Sequence, residues 1–429
     1  MRKKILLNII FISFSCFLKS QTWSPVGTGT IINSPISALY NDTINDLLYV
    51  GCYNTPLIAK WDGTNWNTVG FYGLFPTVVR CITEYQGDIY AGGEFNWADG
   101  ITVSNIARWN GVYWDSLQGG VDNRVISMVV FNNELYVAGN FNNANGNPVS
   151  KIAKWDGNNW SSVGYGFNGG INVLKIYNGE LFAGGDFTTA GGQPAYYIAK
   201  WDGNSWSAVG SGLSTPVYSM VIYNNKLYMS YGSNTAIWDE TYLTAWNNGG
   251  EMDNNILCML VLNNDLYYGG HFIVAGGDTV NRIAKLNQQG WSPLGSGMND
   301  GVFSMAIYKN ELYAGGWFTM SGNDSVNYIA KYNLPVQSVE NSISQKETFY
   351  IFPNPISKSK LLYIHYANPD FVYFDIYNSI GKSVKSLVNN YIINNSSEIS
   401  VSVKNLPVGI YFVIVQNHNK VLTKKIIIN

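Results

Sequence analysis

VISMVVFNNELYVAGNFNNANGNPVSKIAKWDGNNWSSVG, residues 125–164, holds one complete structural unit. Apolar residues dominate 125–131, Asn132–Asn133 interrupts them, and an alternating run resumes through Leu135–Gly139. Two such runs flanking an Asn–Asn turn form a β-hairpin pattern. After a polar connection come Ile152–Trp155, an Asp156–Gly157 turn, and a fourth run that opens at Trp160 and ends at Gly164. The stretch predicts four short antiparallel strands, A to D.

The unit recurs along the chain. A Leu/Ile–Tyr–x–Gly–Gly-like element stands at Tyr49, Tyr90, Tyr136, Phe182, Tyr228, Tyr267 and Tyr313, at intervals of about 46 residues or slightly fewer. IAKWDG occupies 58–63, 152–157 and 198–203, with variants in the other repeats. A strand-D tryptophan follows in six repeats: Trp66, Trp114, Trp160, Trp206, Trp246 and Trp291. The seventh repeat ends at Tyr332 without one, while TWSPVG near the start supplies Trp23. Four-stranded sheets this small are stabilised by packing on their neighbours, and a split last sheet removes an open edge. The expected fold is all-β: a seven-bladed β-propeller of four-stranded blades over 21–334, its last blade closed by the N-terminal strand. Repeat five departs most, with MSYG (229–232) in place of the Gly–Gly element and a shortened loop.

These repeats resemble the kelch family of propellers in the Gly–Gly after strand B and the tryptophan that follows. They are similar as well to bacterial surface repeats of the LYAGG–IAKWDG type and to fungal cortical polarity-marker proteins. The resemblance implies a fold and leaves activity open, because propellers host many functions.

From Phe349 the pattern changes. FPNP (352–355), FDIYNSIGKSV (374–384), NLPVGIYFVIV (405–415) and KKIIIN (424–429) alternate apolar and polar residues between Asn, Ser and Gly turns. This predicts a small immunoglobulin-like β-sandwich over 347–429. The ordered motifs resemble the type A C-terminal sorting domain of the type IX secretion system of Bacteroidota, carried by Pro353, Asn354, Pro355, Asp375, Gly381, Gly409, Tyr411, Lys424 and Lys425. That resemblance implies the secretion machinery as partner and a secreted or cell-surface location, reached through the periplasm and across the outer membrane. Residues 335–346, rich in Ser, Gln, Asn and Glu, read as linker and cleavage region.

At the other end, residues 1–20 read as a signal peptide. Arg2, Lys3 and Lys4 precede an apolar run to Leu18, and Ser20–Gln21 offers a cleavage point. No later stretch is apolar for long enough to predict a transmembrane segment. Residues 21–345 carry 13 basic and 24 acidic side chains, against 9 and 4 in 346–429. So acidic a large domain argues against a nucleic-acid partner. Cys52, Cys81 and Cys258 follow the leader; an odd number this small is no disulfide scaffold, although Cys52 and Cys81 in neighbouring repeats leave one bridge open.

Catalytic chemistry finds little support, and no catalytic residue, metal or cofactor is assigned. One histidine, His271, lies in the propeller, too few for a zinc site of the usual ligand types or for a triad with any alternative base. Its arginines are Arg80, Arg108, Arg124 and Arg282, with Arg108 at the repeat position of Lys60 and Lys154. The Asp–Gly turns read as type I′ turn chemistry.

The repeat points instead to a surface. A–B and C–D turns share one face of a propeller and are short and uniform here; B–C and D–A loops share the other and vary. Variable loops on a constant scaffold are where binding usually sits. Between the Gly–Gly element and a recurring Phe stand Glu94, Asn140, Asp186, His271 and Trp317, five chemistries at one repeat position. Trp97 and Trp317 are the two tryptophans outside the repeat pattern, and indoles beside polar groups suit sugar stacking. The expected function is binding of a glycan or surface protein through the B–C/D–A face. A carbohydrate-active enzyme using carboxylates such as Glu94 and Asp186, or a structural surface component, are the competing classes.

Overall fold

The computed structural model describes residues 22–27, 31–53, 58–70, 78–246, 252–287 and 289–333, and further on 349–352, 356, 361–366, 371–378, 383–392, 397–404, 406–416 and 421–429. The chain divides into two compact units, Met1–Pro335 and Val336–Asn429. The leader, the 335–346 segment, Pro353, Asn354, Pro355 and Gly381 lie outside the described residues.

The first unit holds seven four-stranded antiparallel sheets. Blade 3 is the quoted stretch: Val125–Phe131, Glu134–Gly139, Ile152–Trp155 and Trp160–Ser162, in that order across the sheet. Its A–B turn has Asn132 and Asn133 at φ 49° and 62°, the two left-handed residues a type I′ turn requires. The seventh blade has only Val302–Tyr308, Glu311–Gly316 and Ile329–Tyr332 from its own repeat. Trp23–Pro25 completes it, pairing Trp23 with Tyr332, Ser24 with Lys331 and Pro25 with Ala330. The two rings sit 5.0 Å apart, as Trp201 and Trp206 do at 5.3 Å in blade 4.

Burial follows the interfaces between blades. Tyr90 and Ile106 of blade 2 share one buried cluster with Val125, Leu135 and Phe141 of blade 3. Ile36 and Leu48 of blade 1 share another with Tyr313 and Ile329 of blade 7, so the ring closes through a core of the same kind. Strand-D tryptophans fasten five of the interfaces: Trp66 donates to Val26 O at 2.8 Å, Trp114 to Val69 O at 3.2 Å, Trp160 to Leu117 O at 2.8 Å, Trp206 to Val163 O at 3.1 Å and Trp23 to Leu294 O at 2.9 Å. The Gly–Gly element is explained by close approach. A Cβ on Gly184 would stand 2.5 Å from Val217 of the next blade, and one on Gly185 only 2.1 Å from the Gly170 carbonyl.

Three details differ from the sequence reading. Asp62, Asp156 and Asp202 have no positive φ, unlike Gly63, Gly157 and Gly203. These C–D turns are therefore Asx turns, in which each carboxylate accepts from the backbone two and three residues on. In blade 5, Trp238 pairs with Leu243, so Leu243 holds the position that Trp206 holds in blade 4, and Trp246 lies three residues further on. None of Cys52, Cys81 and Cys258 is in a disulfide; burial pushes the Cys81 thiol up to about 12.

The second unit contains a three-stranded sheet, Phe349–Phe352, Leu361–Tyr366 and Ser397–Ser402, and a four-stranded one. In the latter the order is Ser383–Ile392, Phe371–Asn378, Gly409–Gln416, Val421–Ile428. Asp375 lies in an inner strand, Gly409 and Tyr411 open another, and exposed Lys424 and Lys425 lie on the terminal edge strand. No helix among the described residues is long and apolar enough to cross a membrane.

Candidate functional site

Strand A of each blade touches strand A of its neighbours all round the ring, so these strands line the axis. Every one of them carries a bulge at its second or third residue, near the B–C end. The extra residues are Ser37, Arg80, Ile126, Asn172, Tyr218, Leu257 and Phe303. A bulge re-aims one side chain and breaks the alternation that fixes the others. These residues meet the ends of the B strands, where the varied repeat position lies. Each varied residue precedes a buried Phe (Phe95, Phe141, Phe187, Phe272 or Phe318), so the chain is anchored there while the preceding side chain stays half-buried or exposed.

Contacts join part of this position into one cluster. Arg80 donates to Glu94 Oε1 from Nε at 2.6 Å, and its Nη2 lies 2.5 Å from the same oxygen. Arg124 Nη1 is 3.9 Å from that oxygen. Arg80 Nη2 donates to the Tyr53 hydroxyl at 3.2 Å, with its guanidinium carbon 5.6 Å from the Tyr53 ring centre. Tyr53 meets Trp317 edge-to-face at 5.7 Å, Trp317 meets Phe303 at 5.9 Å, and Phe303 meets His271 at 5.5 Å. Glu94, Trp317 and His271 thus belong to a continuous chain of contacts through blades 2, 1, 7 and 6. Burial works against the Arg80 charge, but Glu94 and Tyr53 raise its pKa above the ordinary arginine value.

The remaining candidates sit apart from that chain. Asp186 accepts from Asn172 at 3.2 Å, and the Tyr218 hydroxyl has its pKa raised by burial and by the Asp186 charge. Asn140 is packed on Gly170, where a Cβ would stand 2.7 Å from its Oδ1. Trp97 lies in a two-residue ribbon strand of the blade 2 B–C loop, paired with Thr102 and 37% exposed; Trp317 is 46% exposed. Tyr165 and Tyr196 add two more exposed rings on the B–C/D–A side. Among the described residues no three His, Cys, Asp or Glu lie close enough to hold a metal ion.

Tyr53, Arg80 and Arg124 were not legible as site residues. Tyr53 shares the repeat position of Glu94, but follows Gly51–Cys52 and precedes no Phe. Arg80 occupies a bulge, where simple alternation fails. Arg108, by contrast, is structural: it pairs with Asp115 at 2.8 Å and Asp88 at 3.7 Å, as Lys154 pairs with Glu134 at 2.8 Å.

The B–C loops are held in place from the D–A side. Asp122 Oδ1 accepts from Asn142 N and Asn143 N, and Asn168, Asp253 and Asn299 repeat this in blades 4, 6 and 7. A recurring Asp or Asn three residues before strand A was the signal for this device.

Fold and site together define a closed seven-bladed propeller with a decorated axial mouth, followed by a second all-β unit. Residues 350–429 match the secretion system C-terminal sorting domain family, and residues 101–256 match the Rax2 C-terminal beta propeller domain family. The chain is therefore a propeller exported by the type IX secretion system, to the cell surface or beyond it, through its C-terminal domain. The propeller match is to the Rax2 family, and the kelch likeness remains one of motifs. No curated protein matches the chain in sequence. Among solved structures, the extracellular domain of the one component system BT4673 from B. thetaiotaomicron is similar at TM-score 0.50 and 12% identity, covering 96% of this chain and 59% of that one. PorZ, an essential surface component of the type-IX secretion system of Porphyromonas gingivalis, is similar at TM-score 0.43 and 11% identity, over 90% of this chain. The chain spans 58% of the PorZ chain. YjhT aligns at TM-score 0.40 and 16% identity over 61% of this chain and 99% of its own.

Proposed function

We propose that the exported propeller is a glycan-binding protein without catalytic activity, and that its ligand sits at the axial mouth of the B–C/D–A face. The observation that carries this reading is the run of contacts from Glu94 through Arg80, Tyr53 and Trp317 to Phe303 and His271. It puts hydrogen-bonding ions beside half-exposed aromatic faces, the combination that holds a sugar by its hydroxyls and its C–H face. Exposed Trp97, Tyr165 and Tyr196 on the same side supply further stacking surfaces for a longer chain.

Hydrolysis is the weaker reading. A glycosidase needs one carboxyl held protonated as general acid. Glu94 Oε1 is clasped by Arg80 and faces Arg124, so this carboxylate is engaged in an ion pair within the protein rather than open to a leaving group. A polysaccharide array probed with the secreted protein, with product release followed in parallel, tests the proposal. Binding that falls about two- to tenfold or more in Trp317→Ala, without turnover, is expected, since a ring contact contributes about 0.5–1.5 kcal/mol beyond the area it buries. Released sugar would replace the proposal with the enzyme reading. Binding only to surface proteins would replace it with protein recognition, and silence throughout would favour a structural component.

A further inference from the structure

The charge balance at the mouth narrows the ligand class, an argument that rests on the glycan-binding reading. Two guanidiniums and one carboxylate meet at Glu94 Oε1, leaving one positive charge in excess. The two arginines are not equivalent. Arg80 spends its donors on Glu94 and Tyr53, with its side chain 26% exposed. Arg124 is 41% exposed and lies 3.9 Å from Glu94, too far for a hydrogen bond. Its guanidinium makes no hydrogen bond among the described residues, so its fork of N–H donors is open to solvent.

Other cations of this face are already engaged. Lys151 donates to Asn140 O at 3.2 Å and to Asn142 Oδ1 at 2.8 Å, and Arg282 donates to His271 O. The surrounding domain is strongly acidic, with 24 acidic against 13 basic side chains over residues 21–345, so anions are repelled elsewhere. Tyr53 meanwhile fixes the scale of the site. Its ring centre is 5.6 Å from Arg80 Cζ and 5.7 Å from the Trp317 ring centre. Arg80 Cζ and the Trp317 ring centre are thus within about 11 Å of each other, and Arg124 joins them through Glu94, so the site has the span of an oligosaccharide rather than of a single sugar.

We infer that the mouth selects an acidic saccharide, a uronic-acid type chain of which one carboxylate is taken by Arg124 while another ring stacks on Trp317. A guanidinium fork matches a carboxylate in geometry as well as charge.

The test is titration of the full secreted chain with hexagalacturonate, with its methyl-esterified counterpart, and with a sulfated oligosaccharide of equal charge. The acid should bind at least about tenfold more tightly than the ester, the worth of one charge-assisted hydrogen bond. Arg124→Gln should remove that difference while ester binding persists, and Trp317→Ala should weaken both ligands together. Equal affinity for acid and ester overturns the acidic-sugar inference but leaves the glycan reading standing. A sulfated ligand that binds as tightly as the acid overturns carboxylate selection. If Arg124→Gln leaves the preference intact, the assignment to Arg124 falls. Failure of all three ligands, together with a blank neutral array, sinks the glycan reading itself.

Discussion

Asp62, Asp156, Asp202 and Asp239 each close a C–D turn by accepting backbone N–H bonds, which hold their carboxyls below the usual range. A carboxylate with a depressed folded pKa contributes stability above its unfolded value of about 3.9 and loses it as pH falls through the folded one. The melting temperature should therefore drop as the pH falls below about 4. Asn110 makes the same two bonds in blade 2. A variant with Asn at all four positions should keep its neutral-pH melting temperature and show a shallower acid slope in calorimetry. Lys175 runs the other way. It is a half-buried ammonium on strand A of blade 4, and burial lowers its pKa with no compensating partner among the described residues. Lys175→Met should raise the denaturation midpoint at pH 7, because the unfolded chain no longer holds a proton that the fold disfavours. A lower midpoint would show that the ammonium has a favourable partner.

Single strands carry larger consequences. Trp23–Pro25 is the strand by which the chain start completes blade 7, and Trp23 is 3% exposed between Tyr332 and the Leu294 carbonyl. Trp23→Ala should cost about 3–5 kcal/mol, the usual loss for a buried aromatic, measured by urea unfolding. Removing residues 21–27 should do more, by baring the edge of Ile329–Tyr332 and producing oligomers visible in light scattering. A monomer of unchanged stability would refute closure by this strand. Much of this was legible, because the count of strand-D tryptophans against strand-B elements already required a strand from the N-terminus. The turn types were less so. An Asp–Gly pair fits either a type I′ or an Asx turn, and the four-residue span between Trp61 and Trp66 decides for the latter. Trp246 misled for a similar reason: a tryptophan near the right place does not reveal which residue faces Trp238 across the sheet.

At the scale of the molecule, the tail and the propeller separate as physical units and as tasks. The terminal strand Val421–Ile428 covers the edge of Gly409–Gln416 along its whole length. Deleting residues 421–429 should leave the propeller's melting transition in place yet keep the protein inside the cell, read by immunoblot of medium and cell fractions. Secretion at normal levels would argue that the export signal lies elsewhere in the chain.

The sequence by itself determined what depends on local periodicity and repetition: the all-β class, seven blades, the strand borrowed from the start, and the sorting tail. Period-two alternation and turn residues are short-range properties, and seven copies make them unmistakable. It also marked one varied position per blade. Only the tertiary structure decided which of those positions meet. Glu94, His271 and Trp317 come together through Tyr53, Arg80 and Phe303, whereas Asp186 and Asn140 stay apart. The deciding features are the strand-A bulges and the closure of blade 7 onto blade 1. Both bring together residues remote in sequence, and no pattern within one repeat specifies them.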